Sequence, residues 1–436
     1  MPELFQSNKW ESFCINLLLI LLWILGVWIF DSGKKYYAEV AFALVFLASL
    51  ESITNGYHIL QYGDKISVKL TNEGYYTWDM CEKWAVNEFD KDNSLYRVCY
   101  WQGLSPSAGI NYGYNGISYF GSADNLRLRS VLGRMGFFQS PRIVCDYGIT
   151  PVTKMLLGVK YDAFGEKQVE REDGTIGYTV GLEQNYRALG MGYMVEGNVE
   201  DYSNFSTNPF ENSNMLLSAM TGNDIDAFEP IQGQIISITG KGLKLSNDGE
   251  GYLLEYAEEA NNPDEDVYLD FAVPLDDQCY AYVENNQSVY ASDTYILEGG
   301  EENNAVHYGR LSVSYIKELE RCDEGAHMRI VSDGFCGNES FDDLYFYKYN
   351  DVAVEYTFEQ LKDSQLCIYE YCDGHIKGKV DVTDDKHILF TSIPYEKGWR
   401  AYVNGKEYPI SPIIYDSFIA IELPGPGNYE VELTIF

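Results

Sequence analysis

The stretch with the clearest chemical character is residues 111–125, which is dense in tyrosine, asparagine, serine and glycine. Rigid aromatic rings offer faces on which the apolar side of a sugar can stack, and short amide and hydroxyl side chains can pair with sugar hydroxyl groups. The composition of this stretch is therefore typical of a sugar-binding surface. An ordinary turn-rich loop has a similar composition and is the alternative.

Common catalytic and metal-binding motifs are missing from the sequence. It has no Gly-x-Ser-x-Gly elbow, no phosphate-binding lysine loop and no dinucleotide fingerprint. Residues 90–94 begin like a calcium loop, but Leu95 stands where glycine is needed and Trp101 where the bidentate glutamate belongs. The histidines are not spaced for zinc, and the many carboxylates do not single out an acid–base pair. We therefore predict no metal and no cofactor.

The chain is strongly acidic, with a net charge of −35 over 436 residues. Such a surface repels nucleic acid and anionic lipid headgroups, so nucleic acid is not predicted as a partner. The 37 tyrosines favour β-sheet faces over helical bundles. The state of the nine cysteines is open between free buried thiols and one or two disulfides, such as Cys367 to Cys372.

Two apolar segments near the amino terminus determine where the rest of the chain lies relative to a membrane. Residues 12–30 carry no charge and are long enough to cross a bilayer. Residues 36–53, with an acid near each end, either cross as well or lie on the surface. If both cross, Lys34 and Lys35 are cytoplasmic and the acidic remainder is outside. We therefore predict contact with a lipid bilayer and a cell-membrane protein whose bulk is extracytoplasmic.

The pattern of apolar, polar and turn residues divides the chain into three regions: transmembrane segment(s) at 1–55, a mixed α/β extracytoplasmic domain at 56–225, and a β-sandwich-rich extracytoplasmic region at 226–436. In the last region, short alternating runs are separated by Gly, Asn and Asp turns. The predicted fold class is membrane-anchored α+β. It comprises one or two N-terminal transmembrane helices, the mixed α/β domain and then β-sandwich-like domain(s).

The clearest single element is a helix predicted over residues 208–222. Asn208 is a favourable N-cap, Glu211 stands where a capping box needs an acid, and Gly222 is a natural left-handed end. Strands and one hairpin turn are predicted in the last fifty residues: strands at 387–393, 399–403 and 429–435, and a type I′ turn at 404–405.

Several stretches occur in an order and at a spacing that are informative together. They are YNGISYF (114–120) followed by LLGVKY (156–161), EQNYRALGMGY (183–193), NPFEN (208–212) and FTSIPYEKGW (390–399). As a set they resemble the YfhO-type family of bacterial multipass membrane proteins, over about residue 50 to the end. Members of that family look like type C glycosyltransferases. The resemblance implies transfer of a sugar from a polyprenyl-phosphate carrier to a cell-envelope polymer such as lipoteichoic acid.

The sequence departs from the family pattern at both ends. The family has many membrane segments before the outer region, whereas here one or two are predicted, and the chain stops where a closing membrane helix is expected. The catalytic acid of such enzymes belongs to an early extracytoplasmic loop between the first membrane helices. We therefore expect a chain without the catalytic membrane half, for which no catalytic residue can be named, and a multipass half as a candidate partner.

The resemblance still implies a set of substrate-binding residues. Four of them are expected to contact polymer or donor, two are expected to bind phosphate because a lysine is a compact phosphate partner, and two are weaker candidates. In that order they are Asn115, Ser118, Tyr119 and Asn125; Lys160 and Tyr161; and Glu183 and Asn185. Asn208 and Glu211 are assigned to helix capping and Trp399 to the core.

Two other functions fit the same sequence. One is a non-catalytic membrane-anchored module that binds envelope glycans or a partner protein. The less favoured one is a surface receptor or adhesin.

Overall fold

The fold is seen in a computed structural model, which describes most of the chain beyond residue 93. The described residues are 83, 86, 94–100, 106–122, 124–170, 176–197, 205–231, 234–239, 243–247, 252–256, 267–273, 278–284, 293–298, 315–319, 326–333, 341–382 and 386–435. All of them belong to one compact unit that spans Thr77–Phe436. The apolar segments predicted within residues 1–55 lie outside the described residues.

Five short α-helices and one 3-10 turn have described bounds. They are α1 (Ala108–Tyr112), α2 (Leu126–Arg134), α3 (Pro151–Leu156), α4 (Pro209–Thr221), α5 (Asp351–Leu361) and the 3-10 turn Lys362–Ser364. The longest of these helices, α4, has 13 residues. At about 1.5 Å per residue it extends about 20 Å, short of the roughly 30 Å of a hydrocarbon core.

The predicted fold class is therefore wrong. No helix among the described residues is long and apolar enough to cross a membrane, and N-terminal transmembrane helices are not part of what the structure shows. The described part is mostly antiparallel β-sheet with short connecting helices. The physical reason is that its apolar runs are short and alternate, which suits strands buried on one face.

Strands form most of the described part. They are β1 (Arg97–Tyr100), β2 (Tyr119–Phe120), β3 (Phe138–Ser140), β4 (Ile143–Cys145), β5 (Val159–Glu170), β6 (Ile176–Gln184), β7 (Gly192–Val195), β8 (Phe228–Pro230), β9 (Gln234–Thr239), β10 (Leu243–Asn247), β11 (Tyr252–Tyr256), β12 (Val267–Val273), β13 (Cys279–Glu284), β14 (Asp293–Glu298), β15 (Lys317–Leu319), β16 (Ala326–Asp333), β17 (Phe341–Tyr349), β18 (Cys367–Cys372), β19 (His375–Val382), β20 (Ile388–Pro394), β21 (Trp399–Val403), β22 (Lys406–Tyr408), β23 (Ser411–Ile413), β24 (Phe418–Glu422) and β25 (Gly427–Ile435).

These strands pair into separate sheets. Their orders are β1-β5-β6, β2-β4-β3, β10-β11-β17-β13-β15 with β8 on β17, β14-β16-β12-β9, β18-β19-β25-β21-β22 and β23-β24-β20-β7. β1 runs parallel to β5, with Arg97 opposite Val159. β7 pairs with β20, so residues on both sides of position 225 share a sheet. The division of the chain into three regions stays a prediction.

The helix predicted at residues 208–222 is confirmed as α4. The Asn208 side chain accepts hydrogen bonds from the N–H groups of Phe210 and Glu211, and Gly222 ends the helix with φ 69°. Glu211 does not close the predicted capping box, because its carboxylate accepts a hydrogen bond from the Ser206 hydroxyl at 3.3 Å. The helix packs through Phe210, whose ring stacks on Tyr347 of β17 at 4.4 Å between centroids.

The predicted C-terminal strands are confirmed as β20, β21 and β25. Asn404 and Gly405, with φ of 51° and 75°, form the turn between β21 and β22. On β25, Val431 and Leu433 are buried while the residues between and beside them are not, as the alternation predicts. Backbone twist and one buried face therefore account for this end of the chain.

The disulfide considered between Cys367 and Cys372 is not formed. Neither is in a disulfide and both are exposed, while Cys99, Cys145 and Cys279 are buried and also outside any disulfide. Cys367 and Cys372 are the two ends of β18. At about 3.3 Å per residue the strand separates them by roughly 16 Å, whereas a disulfide needs α-carbons within about 7 Å.

Candidate functional site

A cleft of about 600 Å³ brings together segments that are far apart in the sequence. We call it the Arg97 cleft. Its lining from the first part of the described chain is Leu95 before β1, Arg97 of β1, Gly109 and Ile110 of α1, the loop Tyr114–Tyr119, Leu128 and Leu132 of α2, and Leu157. Its lining from later segments is Met191, Tyr371–Gly374 with Ile376, Ser392–Pro394 of β20, Trp399 of β21 and Phe418 of β24.

Most of the stretches that resemble the family meet at this cleft. The stretch 114–120 contributes its loop, 156–161 contributes Leu157, 183–193 contributes Met191, and 390–399 contributes Ser392–Pro394 and Trp399. The stretch 208–212 does not line the cleft, since it starts α4 and packs into the core. The motifs are therefore neighbours in space as well as in order.

The loop from Tyr114 to Tyr119 is held against the edge of β1. The Val98 N–H donates to the Asn115 carbonyl at 2.8 Å, and Val98 forms an isolated parallel bridge with Gly116. The loop can fold back this closely because position 109 is glycine: a Cβ there would lie 2.7 Å from the Tyr114 carbonyl oxygen. Asn115 is left exposed and lines the cleft.

Ser118 and Tyr119 are anchored to opposite sides of this loop. The Ser118 hydroxyl accepts a hydrogen bond from the Asp146 N–H at 2.8 Å. The Tyr119 hydroxyl donates to Asp124 Oδ1 at 3.3 Å, and Asp124 pairs with Arg129 of α2 at 2.8 Å. Burial, with the Asp124 charge beside it, raises the pKa of Tyr119 to about 12. Tyr119 therefore stays a neutral hydrogen-bonding ring at physiological pH.

Asn125 joins α2 to the far side of the cleft. Its Oδ1 caps α2 by accepting from the Leu128 N–H at 3.0 Å. Its Nδ2 donates to the Tyr395 carbonyl at 3.3 Å and to Glu396 Oε1 at 2.7 Å. Both ends of the amide are therefore engaged by the protein, and Asn125 is not one of the residues that line the Arg97 cleft.

Arg97 is the cation of the cleft lining, and sequence reasoning missed it. Its Nη1 donates to the Leu157 carbonyl at 2.6 Å and to the Ser392 hydroxyl at 2.7 Å, and its Nη2 donates to the Ser392 carbonyl at 2.7 Å. Burial lowers the pKa of Arg97 to about 10, so it remains charged at neutral pH. The signal in the sequence was one arginine inside the otherwise apolar run of residues 95–100.

Beneath the loop lies a buried acid that sequence reasoning also missed. Asp146 is 6% exposed, and its Oδ2 accepts a hydrogen bond from the Tyr100 N–H at 3.0 Å. Burial raises the pKa of Asp146 to about 6, although hydrogen bonds with Ser118 and the Tyr100 backbone act in the opposite direction. Asp146 thus links β1, the loop and the segment after β4.

Lys160 and Tyr161 lie together on β5, but they are not among the residues that line the Arg97 cleft. The ammonium group of Lys160 lies 5.4 Å from the centroid of the Tyr96 ring and 5.9 Å from that of Tyr161. It also donates to the Ser94 hydroxyl at 3.4 Å. Partial burial lowers the pKa of Lys160. These contacts hold Lys160 in a cation–π arrangement with the two rings.

Glu183 and Asn185 belong to a second cavity of about 780 Å³, which we call the Glu183 cavity. Asn185 is bound by the protein, since its Nδ2 donates to the Val159 carbonyl at 3.0 Å and its Oδ1 accepts from the Arg187 N–H at 3.1 Å. Lys154 pairs with the buried Asp162 at 2.8 Å in the same wall. The eight predicted residues therefore fall into separate places rather than one site.

The cleft has the chemistry of a recognition site. Three of the predicted residues, Asn115, Ser118 and Tyr119, line it together with Arg97 and the half-buried Trp399. Trp399 also packs against the core, which was its predicted role. Within the ranges that the structure describes, no group of His, Cys, Asp and Glu side chains is arranged to hold a metal ion.

Comparison with known proteins relates the sequence of this chain to a family of bacterial membrane proteins. Residues 3–435 match the model of a family described as bacterial membrane protein YfhO. The chain therefore belongs to the YfhO family, as the sequence resemblance implied. Membership supports association with a membrane and a membrane glycosyltransferase-like protein as the broad class.

Other comparisons add little. No curated protein matches the chain. A conserved protein of unknown function from Pseudomonas aeruginosa PAO1 is 9% identical, covering 46% of this chain and 93% of its own, with a TM-score of 0.12. An anti-sigma factor domain-containing protein is 10% identical, covering 57% of this chain and 89% of its own, with a TM-score of 0.14. Neither likeness carries an argument about fold or function.

Proposed function

We propose that this chain is the extracytoplasmic portion of a membrane glycosyltransferase-like protein. It takes part in transferring a sugar from a polyprenyl-phosphate carrier to a cell-envelope polymer such as lipoteichoic acid. The observation that carries the proposal is that four of the five stretches that resemble the family meet at the Arg97 cleft. The net charge of −35 supports an extracytoplasmic position, because anionic lipid surfaces and nucleic acid are poor partners for it.

Within the cleft we assign sugar recognition to the loop Tyr114–Tyr119 and to Trp399 of β21. Asn115 is exposed and its side-chain amide makes no hydrogen bond to any described residue, so it is available to sugar hydroxyl groups. Tyr119 and Trp399 supply aromatic surface on which a pyranose ring can stack. Ser118 shares its hydroxyl between the cleft and Asp146.

The other candidates take supporting places in the proposal. Asn125 positions α2 against residues 395–396. Lys160 and Tyr161 form a cationic, aromatic patch on β5 that suits a phosphate group. Glu183 and Asn185 lie in the Glu183 cavity, where an extended polymer could make a further contact.

The test is a deletion of the gene followed by compositional analysis of purified wall and lipoteichoic polymers. The proposal predicts loss of one sugar from one polymer, restored by the wild-type gene. Unchanged sugar content in every polymer would refute it. Complementation with Asn115→Ala then tests the cleft, with Asn428→Ala on β25 as a matched control, because Asn428 is also exposed and is not one of the residues lining the cleft.

A second candidate is a non-catalytic module that binds envelope glycans. The observation in its favour is that the described lining of the Arg97 cleft contains one carboxylate, Asp373, whereas acid–base chemistry at a sugar commonly uses a pair. This reading predicts that the purified full chain binds the polymer, while deletion leaves polymer sugar content unchanged and alters retention of a partner or polymer at the envelope.

A further inference from the structure

The described residues engage only part of the guanidinium group of Arg97. Its described acceptors are two carbonyl oxygens, one hydroxyl group and the Met191 sulfur at 3.4 Å, all of them neutral. No carboxylate among the described residues pairs with it. In a chain with 66 acidic residues and a net charge of −35, a cation without an acidic partner is unusual.

The hydrogen bonds leave part of the guanidinium group available. Both Nη1 hydrogens and one Nη2 hydrogen are used by Leu157 and Ser392, which leaves Nε–H and the other Nη2–H without an acceptor among the described residues. Arg97 is half-buried and lines the Arg97 cleft.

The group is also prepared for an anion. Burial lowers the pKa of Arg97 because the charged form is poorly solvated there. A bound oxyanion would replace the electrostatic stabilisation that the charged guanidinium group loses when it is removed from water. A guanidinium group also fits the paired oxygens of a phosphate group. The bonds to Ser392 and Leu157 fix the fork in place before any ligand arrives, so little side-chain entropy is lost on binding.

The surroundings of Arg97 indicate what carries the anion. Trp399 and Tyr119 offer ring surface, and Asn115 offers a free amide, in the lining of the same cleft. From these contacts we propose that the Arg97 cleft binds a phosphate ester of a sugar or polyol, with the phosphate on Arg97 and the hydroxyl-bearing part against Asn115 and the aromatic rings. This inference rests on the proposed function and names the ligand class of its site.

The experiment is a calorimetric and saturation-transfer NMR titration of the purified full chain. The probes are glucose 1-phosphate, glycerol 3-phosphate, and uncharged glucose and glycerol. We expect at least one phosphate ester to bind, the matching uncharged compound to bind about tenfold more weakly or not at all, and affinity to fall as salt rises. Preference for glucose 1-phosphate indicates a sugar phosphate, and preference for glycerol 3-phosphate a polyol phosphate unit.

Variants connect binding to the cleft. Arg97→Met is expected to lose about tenfold or more in affinity for the phosphate ester, and Asn115→Ala several-fold. Arg127→Met is the matched control, because Arg127 is exposed, pairs with Asp416 at 2.7 Å and does not line the cleft. If Arg97→Met does not fold, Asn115→Ala and the salt dependence of the wild type decide, since the Asn115 amide makes no hydrogen bond to the described protein.

Two results would overturn the inference: no binding of either phosphate ester at millimolar concentration, or equal affinity in wild type and a folded Arg97→Met variant. The deletion experiment is independent of both. If deletion removes a sugar from a polymer while neither ester binds, the proposed function stands and the ligand assignment fails. If esters bind through Arg97 while polymer composition is unchanged, the ligand assignment stands and the transferase role fails.

Discussion

Replacing Asp146 with asparagine tests whether the loop of the Arg97 cleft is built over a buried acid whose pKa is raised by burial. Asp146 is 6% exposed, and it holds Tyr100 N–H with its carboxylate and Ser118 with its backbone. An amide has nearly the same shape and its oxygen can still accept the Tyr100 N–H. The substitution therefore removes the ionisation of the side chain while keeping its contacts.

The magnitude follows from the pKa of Asp146, which burial raises from 3.8 to about 6. Because the folded pKa lies above the unfolded one, the native state binds the proton more tightly. The stability contributed by this group is full below about pH 4 and is lost as pH rises to about 6. A pKa difference of about two corresponds to roughly 3 kcal/mol.

Urea unfolding of both proteins from pH 4 to pH 7 measures this effect. Other acids titrate in both proteins, so they cancel in the difference between the two free energies of unfolding. Relative to wild type, Asp146→Asn should gain up to about 3 kcal/mol between pH 4 and pH 7. The exposed Asp226 provides the control variant Asp226→Asn. A difference between wild type and Asp146→Asn that is the same at every pH would refute the reasoning.

Three further predictions concern stability, each measured by urea unfolding of the full chain. Asn208→Ala should cost about 1–2 kcal/mol because α4 loses its N-cap bonds, and an unchanged midpoint would contradict the assigned cap. Gly148→Ala should cost more than about 2 kcal/mol, because φ is 85° and a Cβ would lie 2.0 Å from the Gly136 carbonyl oxygen; a smaller loss would mean that this backbone yields. Tyr193→Phe should cost about 1 kcal/mol, since it deletes the buried hydrogen bond from the Tyr193 hydroxyl to the Leu156 carbonyl at 3.1 Å, and a stabilised variant would count against that bond.

Local elements were predictable because their physical causes lie within a few residues. The ends of α4 follow from Asn208 and Gly222, whose side-chain oxygen and left-handed backbone act on the adjacent turn. The turn at Asn404–Gly405 needs only two residues that tolerate positive φ. The buried face of β25 follows from a period of two.

The pairing of the strands was not predictable, because periodicity does not say which strands pair. The pairing of β7 with β20 joins Tyr193 to Phe390, and that of β1 with β5 joins Arg97 to Val159. Nothing local to these runs specifies a partner at such a distance in sequence, since long-range pairing depends on the whole set of buried faces. Predictions placed on residues 1–55 concern a part of the chain that the structure does not describe.

The candidate site was only partly predictable for a related reason. Residue types marked the loop, and three of its predicted residues do line the Arg97 cleft. Lys160 was assigned to phosphate as the noticeable cation, yet its ammonium group lies over the Tyr96 and Tyr161 rings. Arg97 was not predicted as a site residue, because one charged residue in an apolar strand usually indicates an edge strand or a side chain that extends to solvent. Its neutral acceptors at Leu157 and Ser392 come from other segments.

One short strand sets the relation between the cation and the loop. In β1, Arg97 directs its guanidinium group to Leu157 and Ser392, while the next residue, Val98, holds the Asn115 carbonyl. Neighbouring side chains on a strand point to opposite faces, so the loop is attached through backbone while the charge is set by side-chain bonds. The separation between the Arg97 side chain and Asn115 is therefore set by two consecutive residues of β1, Arg97 and Val98. The hydrogen bonds of Arg97 and Val98 hold the cation and the loop beside each other although they are separate in sequence, and a recognition site requires its groups to be held in place.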